Sequence, residues 1–165
     1  MHLNSLSAIQ AGPIISTKSA PGLLIATGNE GHSLKKEEIN TYISHDGGLS
    51  WRLAAKGNHR YEVADQGGLI VMAPSGEPIN NVFFSWDSGY TFTSVEVSKH
   101  KFYVTNIRTD KQKLGVFFVV EGVLDGSGGF GVLIPIDFSF LMPKICDSKM
   151  LTDFEEWVPK LPDDE

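Results

Sequence analysis

Apolar positions along this chain fall in short runs that end on turn residues; they do not recur every three or four positions. Residues 21–28 (PGLLIATG), 40–46 (NTYISHD), 49–55 (LSWRLAA), 60–65 (RYEVAD) and 68–74 (GLIVMAP) come first. Residues 81–87 (NVFFSWD), 90–97 (YTFTSVEV), 101–107 (KFYVTNI), 114–122 (LGVFFVVEG) and 130–138 (FGVLIPIDF) follow. They are rich in Val, Ile, Phe, Tyr and Thr and are bounded by Gly, Asp, Asn or Pro, the pattern of strands joined by tight turns. No window before residue 138 carries a sustained helical period. Residues 147–157 (DSKMLTDFEEW) do: Asp147 or Ser148 caps, Met150, Leu151, Phe154 and Trp157 form a stripe, and Pro159 stops the helix. The pattern predicts an all-β fold with a short C-terminal helix.

The strand pattern repeats. Ser44-His45-Asp46-Gly47-Gly48-Leu49-Ser50-Trp51 matches Ser85-Trp86-Asp87-Ser88-Gly89-Tyr90-Thr91-Phe92, and the second copy starts 41 residues after the first. Both fit S-x-D-x-G-x-[ST]-[aromatic], and each follows an apolar strand. A period of about 40–50 residues with four short strands per unit is the signature of propeller blades. In such a hairpin Asp46 and Asp87 accept backbone N–H groups of their own turn. Gly48 and Gly89 supply the positive φ the turn requires. Trp51 and Phe92 open the next strand. These are Asp-box hairpins, a signal for fold and not for activity.

Composition changes the picture little. With 165 residues, 41% hydrophobic and 21% charged, the chain reads as a soluble globular one. The net charge of -6 owes much to Asp147, Asp153, Glu155, Glu156, Asp163, Asp164 and Glu165, which read as a solvated tail. The sequence contains no Lys/Arg run, which argues against nucleic acid or an anionic membrane surface as partner. The N-terminus lacks a basic start and an apolar stretch of signal-peptide length, and the longest apolar run in residues 114–122, Val116 to Val120, cannot span a bilayer. Read alone, the chain carries neither a signal peptide nor a transmembrane helix.

Paired carboxylates for glycoside hydrolysis must flank one bond at roughly 5–9 Å. Asp46 and Asp87 belong to equivalent hairpins of neighbouring blades and read as structural. Gly126-Ser127-Gly128-Gly129-Phe130-Gly131 spells G-x-G-x-x-G, yet the apolar run with Pro135 after it is a strand and not the helix a pyrophosphate site needs. His2, His32, His45, His59 and His100 are scattered without metal-ligand spacing, and with the single Cys146 they form no zinc set. His45, at an unspecified motif position, is expected to be exposed. An Asp-box glycosidase of the sialidase kind needs clustered arginines and a tyrosine nucleophile; Arg52, Arg60 and Arg108 are dispersed, and no motif pairs them with Tyr42, Tyr61, Tyr90 or Tyr103. No catalytic residue, metal or cofactor is assigned.

Residues 41–51 (TYISHDGGLSW), 61–74 (YEVADQGGLIVMAP) and 79–92 (INNVFFSWDSGYTF) resemble the last Asp-box blades of sortilin-type receptors, the vacuolar-protein-sorting receptor family. Residues 2–31 are similar to the stretch that precedes those blades. Residues 132–159 are similar to the closing propeller strand and the entry to the cysteine-rich module. The most specific parts lie around Asp65, Gly67 and Gly68, and from Ile136 to Cys146. The resemblance implies residues 1–140 as terminal blades, about three of them, of a luminal propeller, and 141–165 as the start of the cysteine-rich module with a partly helical tail. It implies a non-catalytic receptor whose propeller binds peptide or protein cargo for Golgi-to-endosome or vacuole transport, as a type I membrane protein. Cys146 is then a disulfide candidate whose partner lies outside this chain, and ligand-contacting residues stay unassigned. A self-contained cytosolic propeller is the remaining alternative, against which the ending of residues 136–157 speaks. Three blades do not close a ring, so residues 22–28 and 115–120 are expected to expose apolar faces and to favour association.

Overall fold

The computed structural model describes residues 2–3, 14–33, 35 and 38–141. Cys146 and the helix expected over 147–157 lie outside them. Strands β1 (His2–Leu3), β2 (Ile15–Thr17), β3 (Ala20–Asn29), β4 (Asn40–Ser44) and β5 (Arg52–Lys56) form the first sheet. In it β1 and β2 pair with different stretches of β3, followed by β4 and β5. Strands β6 (His59–Ala64), β7 (Leu69–Pro74), β9 (Asn81–Ser85) and β10 (Thr93–Glu96) form the second, in that order. Strands β8 (Pro78–Ile79), β11 (Phe102–Thr109), β12 (Phe117–Leu124) and β13 (Gly131–Asp137) form the third. All pairings are antiparallel. The fold is all-β, consecutive antiparallel sheets consistent with a partial propeller. Each of the ten apolar runs becomes one strand. The three it did not predict, β1, β2 and β8, are only two or three residues long.

Stacking order follows from which faces are apolar. Along β7, Leu69, Val71 and Ala73 face the third sheet, against Phe102, Val104, Ile107, Phe118 and Val120. Ile70 and Met72, one residue out of phase, face the first, against Ile25 and Ile43. The second sheet therefore lies between the other two. The run LIVMA is uninterrupted because side chains alternate faces at a period of two and both faces are buried. Leu69, Ile70, Val71 and Met72 each contribute about 1.5–3 kcal/mol on burial. Tyr61, on β6, joins the first core, and its hydroxyl meets Thr27 Oγ1 of β3 at 3.3 Å.

At the far side β13 alternates: Val132, Ile134 and Ile136 pack inward while Leu133 is 71% exposed. Leu124 N–H donates to Phe130 O and Phe138 N–H to Val116 O, which sets the ladder's alternation. Pro135, opposite Val119, then falls at a non-hydrogen-bonded pair, so its nitrogen faces the free edge, where proline is tolerated. The expected open apolar faces are only partly present. Phe117 is 49% exposed, yet Phe118 and Val120 are buried. In residues 22–28, Leu23 and Ile25 are buried and Leu24 half-buried, because this strand packs toward the second sheet.

Candidate functional site

The two motif copies are the β4–β5 and β9–β10 hairpins, each joining the third and fourth strands of its sheet. Because antiparallel strands alternate direction, they share a rim with the β2–β3 and β6–β7 turns. In the first hairpin the Ser44 hydroxyl donates to Asp46 Oδ1 at 2.8 Å and accepts Gly48 N–H at 2.9 Å. Asp46 accepts Ser50 N–H at 2.9 Å on Oδ1 and the Ser50 hydroxyl on Oδ2 at 2.5 Å. The second hairpin repeats this residue for residue. The Ser85 hydroxyl donates to Asp87 Oδ1 at 2.7 Å and accepts Gly89 N–H at 2.7 Å. Asp87 accepts Thr91 N–H at 2.9 Å and the Thr91 hydroxyl at 2.7 Å. Trp51 adds an indole N–H to Gly48 O at 3.0 Å. Phe92, without a donor, packs against the first core instead.

These bonds fix the charge state of both aspartates. The Ser50 hydroxyl and N–H, with the Ser44 hydroxyl, hold the Asp46 carboxyl well below the usual carboxylate range. Part-burial pushes Asp87 up, but the Thr91 N–H and hydroxyl and the Ser85 hydroxyl outweigh it and bring it to about 2. Gly48 and Gly89 take φ of 95° and 87°. At Gly89 a Cβ would also lie 2.5 Å from Ile43 Cδ1 and 3.0 Å from Ile70 Cδ1, so the core between the first and second sheets depends on the absence of a side chain.

Each hairpin is tied to the neighbouring turn of its own sheet. Gly47 N–H donates to Gly22 O at 3.0 Å, and Ser88 N–H donates to Gly68 O at 3.1 Å. Sequence reasoning missed this pairing, whose signal was the likeness of Gly22-Leu23-Leu24-Ile25 to Gly68-Leu69-Ile70-Val71. It also missed a clasp between the hairpins. His45, expected to be exposed, is half-buried. Its Nε2 is 2.7 Å from Ser88 O, and its ring stacks on Tyr90 with centroids 4.6 Å apart and planes 13° apart. Arg52 donates to Gly89 O and lies over the Tyr90 ring, 5.1 Å from its centroid.

Two grooves open at this rim. One, about 230 Å³, lies between the first and second sheets and is lined by Pro21, Leu23, His45, Gln66 and Ser88. The other, about 110 Å³, lies between the second and third and is lined by Asp65, Leu69, Trp86, Val116, Phe138 and Leu141. Neither is lined by Asp46 or Asp87, so the two carboxylates do not meet across a cavity. Among the described residues no group of three or more His, Cys, Asp and Glu is placed to hold a metal ion, and no helix is long and apolar enough to cross a membrane.

Comparison with known proteins adds the following. The model of the Sortilin-Vps10 family, described as sortilin, neurotensin receptor 3, matches residues 1–107. The vacuolar protein sorting/targeting protein 10 of Aspergillus flavus is 34% identical over 163 residues, covering 98% of this chain and 11% of that protein. The protein of the same name from Uncinocarpus reesii is 36% identical over 157 residues, covering 89% of this chain and 10% of that one. The chain thus spans about a tenth of the length of the curated relatives it matches.

Proposed function

The chain belongs to the Sortilin-Vps10 family, and on that premise we propose that it is a non-catalytic part of a cargo-sorting receptor. In this reading residues 1–140 are terminal blades of a luminal propeller whose Asp-box hairpins, at Ser44 to Trp51 and Ser85 to Phe92, build the blade rim. Residues 141–165 enter a cysteine-rich module, and Cys146 pairs with a cysteine beyond this chain. The whole receptor is a type I membrane protein that works in the lumen of the Golgi and endosomes and carries peptide or protein cargo toward the vacuole.

The observation that carries the non-catalytic reading is the use of Asp46 and Asp87. Each spends its carboxylate on its own turn, 2.9 Å from a backbone N–H, in matching hairpins of consecutive sheets. A general acid needs a free carboxyl of raised pKa; both are shifted the other way. The test is a chimera. Residues 1–165 replace the matching segment of the Aspergillus flavus protein, and delivery of a vacuolar hydrolase is followed. Retention of the hydrolase at the parent's level is expected. A chimera present in normal amount that secretes the hydrolase refutes the reading.

A further inference from the structure

Among the described residues Asp46, Asp87 and Asp110 close the turns they sit in. Asp46 and Asp87 do so in the hairpins. Asp110, between β11 and β12, accepts Gln112 N–H at 2.9 Å on Oδ1 and Gly115 N–H at 2.8 Å on Oδ2. Asp65 lies in another turn, between β6 and β7 of the second sheet. Among the described residues its carboxylate accepts no hydrogen bond and pairs with no cation. Its turn is held from outside: Asp65 N–H donates to Gly115 O at 3.0 Å and Gln66 N–H to Lys113 O at 3.1 Å. Lys113, on that same loop, gives its ammonium to Glu62 at 2.5 Å.

The free carboxylate lines the groove between the second and third sheets, among Leu69, Trp86, Val116, Phe138 and Leu141. Removal from water in this setting pushes its carboxyl above the usual range. Trp86 occupies the motif position that His45 holds in the first hairpin. His45 is clasped by Ser88 and Tyr90, whereas Trp86 is 64% exposed. Phe140, 68% exposed, extends the apolar surface 6.1 Å from the Phe138 ring.

We propose that this groove is a subsite for a lysine or arginine side chain presented beside an apolar residue of a partner polypeptide. The cation meets the Asp65 carboxylate, the methylene stem lies along Trp86, and the apolar neighbour packs on Phe138 and Leu141. A volume of about 110 Å³ suits one side chain, well below the roughly 300–1,000 Å³ of small-molecule sites. The groove is thus one contact point on an extended partner. A carboxylate with no hydrogen-bonding duty in its own turn, in apolar surroundings, favours a cation over a neutral group of equal size. This reading goes beyond the sorting assignment, and its test reads the groove alone: a failed titration leaves the chimera result standing, and the reverse holds too.

Trp86 is made the sole indole of the full chain by Trp51→Phe and Trp157→Phe; phenylalanine already serves at the matching place, Phe92. Acetyl-leucyl-arginine amide and its citrulline analogue, isosteric and uncharged, are titrated while acrylamide quenching of Trp86 is read. The arginine peptide is expected to shield Trp86 saturably and to bind about two- to fivefold tighter than the citrulline peptide, the scale of a single ion pair. Asp65→Asn, which keeps a residue tolerant of φ near +47°, is expected to bring the arginine peptide down to the citrulline level. Equal binding of the two peptides overturns the proposal, as does binding indifferent to Asp65→Asn. Trp86 already shielded before peptide is added also overturns it, since the chain itself then fills the groove. Should Asp65→Asn alter the fold, the two peptides on the parent chain still decide.

Discussion

Placing a methyl group on Gly89 separates two reasons for a glycine that the motif alone cannot distinguish. The first is backbone conformation: φ is 87° at Gly89 and 72° at Gly47, and an L-residue there costs about 1–2 kcal/mol. The second is space. At Gly47 an added Cβ meets nothing within 4 Å. At Gly89 it lands 2.5 Å from Ile43 Cδ1, 3.0 Å from Ile70 Cδ1 and 3.7 Å from the Phe92 ring. Ile43 and Ile70 are themselves 1% and 0% exposed, so neither can swing into solvent. Overpacking of a filled core adds about 1–3 kcal/mol. Gly89→Ala should therefore destabilise by about 2–5 kcal/mol, and Gly47→Ala by about 1–2 kcal/mol. Gly48→Ala, with Leu24 Cδ1 at 3.3 Å, should fall between them. Urea unfolding followed by fluorescence measures all three at equal m-value. If Gly89→Ala and Gly47→Ala cost the same, the hairpin is not wedged between Ile43 and Ile70 as described, and the packing argument fails.

Two further outcomes follow from the same rim. Asp87→Ala orphans the Thr91 N–H and both hydroxyls and should cost about 1 kcal/mol at neutral pH, the low end because the carboxylate is solvent-screened. Because the folded group titrates near 2 and the unfolded one near 4, this contribution is complete above pH 4 and disappears as pH falls from about 4 to 2, so parent and variant unfolding curves should converge there. A double-mutant cycle of His45→Ala and Tyr90→Ala should show a coupling of about 0.5–1 kcal/mol for the stacked pair; additivity within about 0.3 kcal/mol would mean the clasp contributes nothing.

What could be read from the sequence was local. The ten long strands announce themselves because each apolar run ends at a breaker, while β8, at Pro78 and Ile79, is too short to form a run. The duty of Asp46 and Asp87 was legible because the carboxylate reaches the residue four positions on, Ser50 or Thr91, a distance the spacing alone prescribes. The clasp was not legible. His45 and Ser88 are 43 positions apart, and both sit at positions the motif leaves open. Nor could the sequence tell Asp65 from Asp110. Both are aspartates in turns that join neighbouring antiparallel strands, and only the approach of residues 113–115 to the Asp65 turn relieves that carboxylate of a structural task.

This difference assigns two kinds of work to one hairpin. Positions 44, 46, 48 and 50, like 85, 87, 89 and 91, are spent on closing the turn; exchange of any of them breaks a bond or a packing contact inside the hairpin. The position between Ser and Asp, 45 in the first hairpin and 86 in the second, is free of that duty. His45 there grips the second hairpin through Ser88 and Tyr90. Trp86, at the same place one repeat later, meets instead an apolar groove with a carboxylate in its wall. A single backbone frame thus yields a lock at one sheet boundary and an open surface at the next. Which boundary can receive a partner is decided by what stands between Ser and Asp in each hairpin and by whether the turn aspartate opposite it is already engaged.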